Sequence, residues 1–94
     1  MDLSNANLNG ANLVNADFTG ANLSGANLAG AIMVNAKFVG ANLKFANLAG
    51  VGAQYTDFTG ANLFGANLNG ANFIYATLQD ANFEGAMVDG VMWP

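Results

Sequence analysis

The sequence predicts an all-β chain wound as a four-sided, parallel β solenoid, and three observations predict it. A large apolar residue recurs at every fifth position, and small or turn-forming residues fill the rest of each unit. Residues twenty apart also agree better than residues ten or fifteen apart. The stretch ANLNGANLVNADFTGANLSGANL, residues 6–28, shows the unit at its most regular. Ala comes first, Asn or Asp second, Leu or Phe third.

The five-residue register runs without slippage through residues 1–94, which are expected to form one domain. Third positions predict the core: Leu8, Leu13, Phe18, Leu23, Leu28, Met33, Phe38, Leu43, Leu48, Phe58, Leu63, Leu68, Phe73, Leu78 and Phe83. First positions are Ala in fifteen of nineteen units, the exceptions being Met1, Val51, Thr56 and Val91. On a helix, at about 100° per residue, steps of five smear these residues round the cylinder. A straight strand sends successive ones to opposite faces, because its period is two. The pattern works only if the chain turns once per pentad, so that every third residue points inward. Gly or Asn in fifth position (Gly10, Asn15, Gly20, Gly25, Gly30) suits such turns. A fixed short period of this kind marks a solenoid.

The fourth positions set the number of pentads per coil. At a lag of 20 residues, Ser4 matches Ser24, Val14 matches Val34 and Ala29 matches Ala49. Phe18, Phe38 and Phe58 recur at the same spacing, as do Asn15 with Asn35 and Tyr55 with Tyr75. Asp17, Lys37 and Asp57 then form an alternating-charge column, a favourable cross-strand arrangement. Four pentads per coil gives about 4.7 coils. At ~4.8 Å per coil this predicts a rod about 22 Å long. Columns such as Asn22, Asn42, Asn62 and Asn82 are expected to form amide ladders between coils.

These A(N/D)LXX units resemble the pentapeptide-repeat family, over essentially the whole chain and in the manner of its small, stand-alone cyanobacterial members. The resemblance implies a right-handed quadrilateral β-helix with first- and third-position residues inward. It implies less about activity, since members are linked to gyrase protection by DNA mimicry and to regulatory roles in cyanobacteria.

Departures from the pattern fall at few places. In VGAQY, residues 51–55, Ala53 replaces the core Leu or Phe, and Met33 and Phe73 in its column are expected to fill the space. Residues 1–86 read as regular repeats and 87–94 as a degenerate end. There Met87, Met92 and Trp93 are expected to fold over the last coil as a partial cap. The repeats begin at Met1, so the first coil is expected to be uncapped and to offer an edge for end-to-end self-association.

Composition excludes several function classes. With no His and no Cys, nucleophilic triads and the usual zinc sites are absent, and Ser4 and Ser24 have no base. Asp80, Glu84 and Asp89 are read as solvated surface charge, so no catalytic, cofactor or metal site is expected. Two lysines and no arginine cannot form the basic footprint of direct nucleic-acid binding. No apolar run exceeds four residues, far short of the roughly 20 of a spanning helix. No secretory signal is visible, so a cytoplasmic location is expected. DNA mimicry meets a charge shortfall: duplex DNA shows about 13 charges over 22 Å, and this chain has six acids.

The expected role is therefore a non-enzymatic structural or protein-interaction module. Its candidate docking strip is Val14, Ile32, Val34, Tyr55, Ile74 and Tyr75, all outward on one face. A second cluster is Lys44, Phe45 and Phe64, with a cation–π contact expected between Lys44 and Phe64. The alternative, from the other class, is a DNA-mimicking inhibitor or protector of a gyrase-type topoisomerase.

Overall fold

Backbone pairing in the computed structural model, which describes residues 1–94, runs between residues twenty apart. Fifteen parallel bridges, from Asp2↔Asn22 to Asn72↔Met92, all join second-position residues in successive coils. The four sides can be numbered from this register. Face 1 holds residues 1–5, 21–25, 41–45, 61–65 and 81–85; face 2 holds 6–10, 26–30, 46–50, 66–70 and 86–90. Face 3 holds 11–15, 31–35, 51–55, 71–75 and 91–94, and face 4 holds 16–20, 36–40, 56–60 and 76–80.

One pentad shows how each is built. The N–H of Leu23 donates to the Asn42 carbonyl at 2.7 Å and that of Gly25 to Lys44 at 2.9 Å, both in the next coil. The Asn22 N–H donates to Met1 in the previous coil at 2.9 Å. The Ala26 N–H returns to the Leu23 carbonyl at 3.0 Å, closing a turn with Ser24 and Gly25 at its centre. Gly25 has φ +68°, whereas Ser24 does not enter the positive-φ region, which defines a type II turn. Every fifth-position residue from Asn5 to Gly90 takes this left-handed conformation.

The second-position residue braces that turn. Oδ1 of Asn22 accepts the Ser24 N–H at 3.1 Å, and Asn47 does the same for Ala49 at 3.0 Å. All thirteen Asn or Asp residues in second position make this bond two residues on. The expected amide ladders between coils are therefore corrected: Asn22, Asn42, Asn62 and Asn82 stack, but each oxygen serves its own turn. The charge column is modified in the same way. Asp17, Lys37 and Asp57 are bridged in register, yet the carboxylates turn back to Thr19 and Thr59 rather than closing ion pairs with Lys37.

Inside, 22 apolar residues from Ala21 to Ala76 form one buried cluster, all of them in first or third position. Leu23, Leu28, Leu43, Leu48, Leu63 and Leu68 are fully buried, each worth roughly 1.5–3 kcal/mol against exposure. Phe18, Phe38 and Phe58 stack down one corner at 5.1 and 5.2 Å. Leu8, Leu13, Phe18, Leu78 and Phe83, in the outer coils, are only partly buried because they have a neighbouring coil on one side.

Ala53 is fully buried. Phe73 meets Phe58, one coil below it, edge-to-face at 5.5 Å, so its ring leans into the level of the missing Leu. Two first-position residues bracketing Ala53 are also larger than the usual Ala: Val51 and Thr56, both buried. The Thr56 hydroxyl donates to the Met33 carbonyl at 2.7 Å, which satisfies the one buried polar side chain of the core. The smaller side chain at one position is thus accompanied by larger ones at two neighbours and by the lean of Phe73.

At the far end Trp93 packs on Phe73 (5.9 Å, stacked) and Phe83 (5.4 Å, edge-to-face). Met87 and Met92 do not join it. Both stand outward in second position, paired beside Asn67 and Asn72, and are about half exposed. The overall shape also departs from expectation. Principal extents of 28 × 27 × 25 Å describe a block as wide as it is tall, rather than a rod.

Candidate functional site

Face 3 carries the predicted strip, and the coil register places its members in adjoining columns. Val14, Val34 and Ile74 share the fourth-position column with Gln54; Ile32 lies in the second; Tyr55 and Tyr75 lie in the fifth, above Asn15 and Asn35. Tyr75, Tyr55, Ile32 and Val14 are exposed at 67, 58, 52 and 42% respectively, while Val34 and Ile74 are half-buried.

The two tyrosine rings stack at 5.0 Å with 17° between their planes. Both residues have left-handed backbones, φ +60° at Tyr55 and +63° at Tyr75. This region disfavours any Cβ-bearing residue by roughly 1–2 kcal/mol, and Asn is the cheaper non-glycine occupant. Asn15 and Asn35 occupy it lower in the same column. The aromatic pair is thus set on costly backbone positions and left facing solvent.

Gln54 sits amid the strip with its side chain folded back over Gly52, where a Cβ would meet Oε1 at 3.3 Å. That oxygen is buried without a hydrogen-bond donor. Gly52 stands where most pentads have Asn or Asp, so this unit also lacks the usual turn brace.

Sorting charges by face reveals a feature that the strip residues alone do not. Asp2, Lys44 and Glu84 lie on face 1, Asp89 on face 2, and Asp17, Lys37, Asp57 and Asp80 on face 4. Face 3 has no charged side chain. The signal was present in the sequence, in the coil position of each charge. The same sorting separates Asp80, Glu84 and Asp89 onto three faces, so they do not converge, and no group of acids is placed to hold a metal ion.

The second cluster lies on face 1, opposite the strip, so the two do not form one site. Phe45 is 65% exposed with φ +59°, and its ring lies over Gly65. It meets Phe64 edge-to-face at 5.7 Å. This aromatic pair replaces the expected Lys44–Phe64 cation–π contact; Lys44 stands exposed beside it.

The titration of two exposed carboxylates is set by the same turn brace. The Thr19 hydroxyl and then its N–H hold Asp17 below the ordinary carboxylate value, with a smaller contribution from Lys37. The Ser4 N–H and hydroxyl do the same for Asp2. Neither group faces a cleft, because none opens on the molecule. No helix is long and apolar enough to cross a membrane.

Comparison with known proteins agrees with this geometry. A family model described as "Pentapeptide repeats (8 copies)" matches residues 2–33, 16–51, 33–65 and 54–86. The chain is similar to Rfr23, a pentapeptide repeat protein of the cyanobacterium Cyanothece 51142, at 35% identity and TM-score 0.65. That match covers 99% of this chain and 64% of the other. It is similar to a pentapeptide repeat protein of the Arabidopsis thaliana thylakoid lumen at 34% identity and TM-score 0.61, covering 90% and 63%. QnrB1, a plasmid-mediated fluoroquinolone resistance protein, shares the fold at 17% identity and TM-score 0.61, covering 96% and 66%. The chain spans just under two thirds of the length of the first two. No curated protein matches it. A pentad register over the whole chain, bridges twenty residues apart and a family match to residues 2–86 lead to one conclusion: the chain belongs to the pentapeptide repeat family, whose fold is the right-handed quadrilateral β-helix.

Proposed function

We propose that the chain, wound through about 4.7 coils, is a non-enzymatic, cofactor-free interaction module that docks a protein partner on face 3. In this reading Trp93, over Phe73 and Phe83, partly caps the regular repeats of residues 1–86. The observation that carries the reading is the Tyr55–Tyr75 pair. Each ring sits on a left-handed backbone that the fold fills elsewhere with Gly or Asn, Phe45 and Asp80 excepted, and neither ring is buried. Stacking returns about 0.5–1.5 kcal/mol, less than the strain of two such residues. Folding alone does not favour the pair. Exposed aromatic residues on a rigid, uncharged wall suit protein contact, where Tyr is enriched.

The double variant Tyr55→Asn/Tyr75→Asn copies the lower half of the column and keeps the backbone. Cross-linked capture from cells of the source organism should recover a partner with the wild-type chain and lose it with this variant. Equal recovery by both would remove face 3 as the docking surface. The rival role, mimicry of a nucleic-acid surface against a gyrase-type enzyme, requires concentrated negative charge. Here six acids are spread over three faces, so gyrase supercoiling is expected to be unaffected by the protein.

A further inference from the structure

Resting on that reading, the structure points to the occupant of face 3: we propose that it is face 3 of a second copy of this chain, packed about a two-fold axis. Charge favours this arrangement. The chain carries a net charge of −4, and every charged side chain lies on faces 1, 2 and 4. Two copies meeting by any of those faces cover charged side chains. Two copies meeting by face 3 cover none.

Shape suits the same partner. Face 3 has no cleft to receive an inserted side chain or peptide end, so its partner is equally flat. Its rows are spaced by the coil repeat, ~4.8 Å. A wall with the same repeat sets several rows of side chains into the grooves between rows at once, and a second copy supplies such a wall. The polar groups are self-complementary as well. The amides of Asn15 and Asn35 and the hydroxyls of Tyr55 and Tyr75 each donate and accept, as an isologous contact requires.

The area suffices. The surface totals 4459 Å² on a block of nearly equal extents, so one of six sides offers ~740 Å². A pair covering both faces removes ~1,500 Å², within the roughly 1,200–2,000 Å² of specific interfaces.

Sedimentation velocity on the 94-residue chain, from about 1 to about 500 μM, tests the proposal. The expected result is a shift from 9.6 kDa to twice that mass, and no further, with a dimer that added salt does not weaken because no ion pair crosses the interface. Tyr55→Asn/Tyr75→Asn should weaken dimerisation at least about tenfold. Ile32→Lys should do the same by placing like charges near the axis, whereas Ser24→Lys, on the opposite face, should not. Circular dichroism and melting of each variant confirm that it is folded. A monomer throughout the range overturns the proposal, as does unchanged dimerisation of both face 3 variants or growth beyond the dimer, the mark of end-to-end stacking. A wild-type monomer whose captured partner is still lost with Tyr55→Asn/Tyr75→Asn would reject the second copy while leaving face 3 as a docking surface.

Discussion

At the scale of single residues, the fifth position decides most of what is distinctive. A Cβ at Gly60 meets nothing within 4 Å, so Gly60→Ala should cost only the left-handed strain, about 1–2 kcal/mol. A Cβ at Gly65 falls 2.6 Å from the Phe45 ring, so Gly65→Ala should cost about 1 kcal/mol more in urea unfolding. That excess should vanish in a Phe45→Gly background; its persistence would mean that the ring does not rest on Gly65. Asp17 gives a pH signature. Its folded value lies below the ordinary 3.8, so its contribution is fully present above that value and is lost as the pH falls through the folded value. Asp17→Asn should keep the turn and remove this part of the acid sensitivity, read from urea midpoints at neutral and acid pH. The identity of the turn residues was legible in the sequence. Their mechanism was less so, because Asn columns suggest amide ladders. Yet Asp2, Asp17 and Asp57 take the second position interchangeably with Asn, which an amide ladder would not allow and a shared Oδ1 acceptor explains.

At the scale of the pentad and the coil, the account makes two contrasting predictions. Asn47→Ala removes the bond to the Ala49 N–H and should cost about 1 kcal/mol, whereas Lys37→Ala, in a unit with no such brace, should cost little. Thermal unfolding of the two variants side by side measures the difference. Ala53→Leu restores the repeat consensus and should nevertheless destabilise the chain by about 1–3 kcal/mol. Phe73, Val51 and Thr56 crowd that level, so the added atoms are expected to displace them. A stabilised Ala53→Leu variant would show that the level is underpacked. The substitution of Leu by Ala was visible in the sequence, and so was the compensating Phe73. The matching enlargement at Val51 and Thr56 was written in the same six residues, but became interpretable only once the coil geometry placed them in one layer. Coil register itself was legible, because identities at the loosely constrained fourth position mark what stacks on what.

At the scale of the whole molecule, the coil repeat predicts height but not proportion. Four sides of five residues each make the stack as broad as it is tall, 28 × 27 × 25 Å. Each face is therefore a nearly square wall, and what distinguishes the walls is the distribution of charge and aromatic rings among them. Those distributions lie in the sequence but are scrambled by winding, since neighbours on face 3 are twenty residues apart. The docking role proposed for face 3 rests on three properties together: no charged side chain, exposed apolar columns, and a strained tyrosine pair. The most direct test is a dilution series of the ¹⁵N-labelled chain followed by amide chemical shifts. Concentration-dependent shifts should be confined to face 3, around Asn15, Ile32, Asn35, Tyr55 and Tyr75. Shifts centred on faces 1, 2 or 4 would contradict the account, and none at any concentration would reject the second copy as the occupant of face 3.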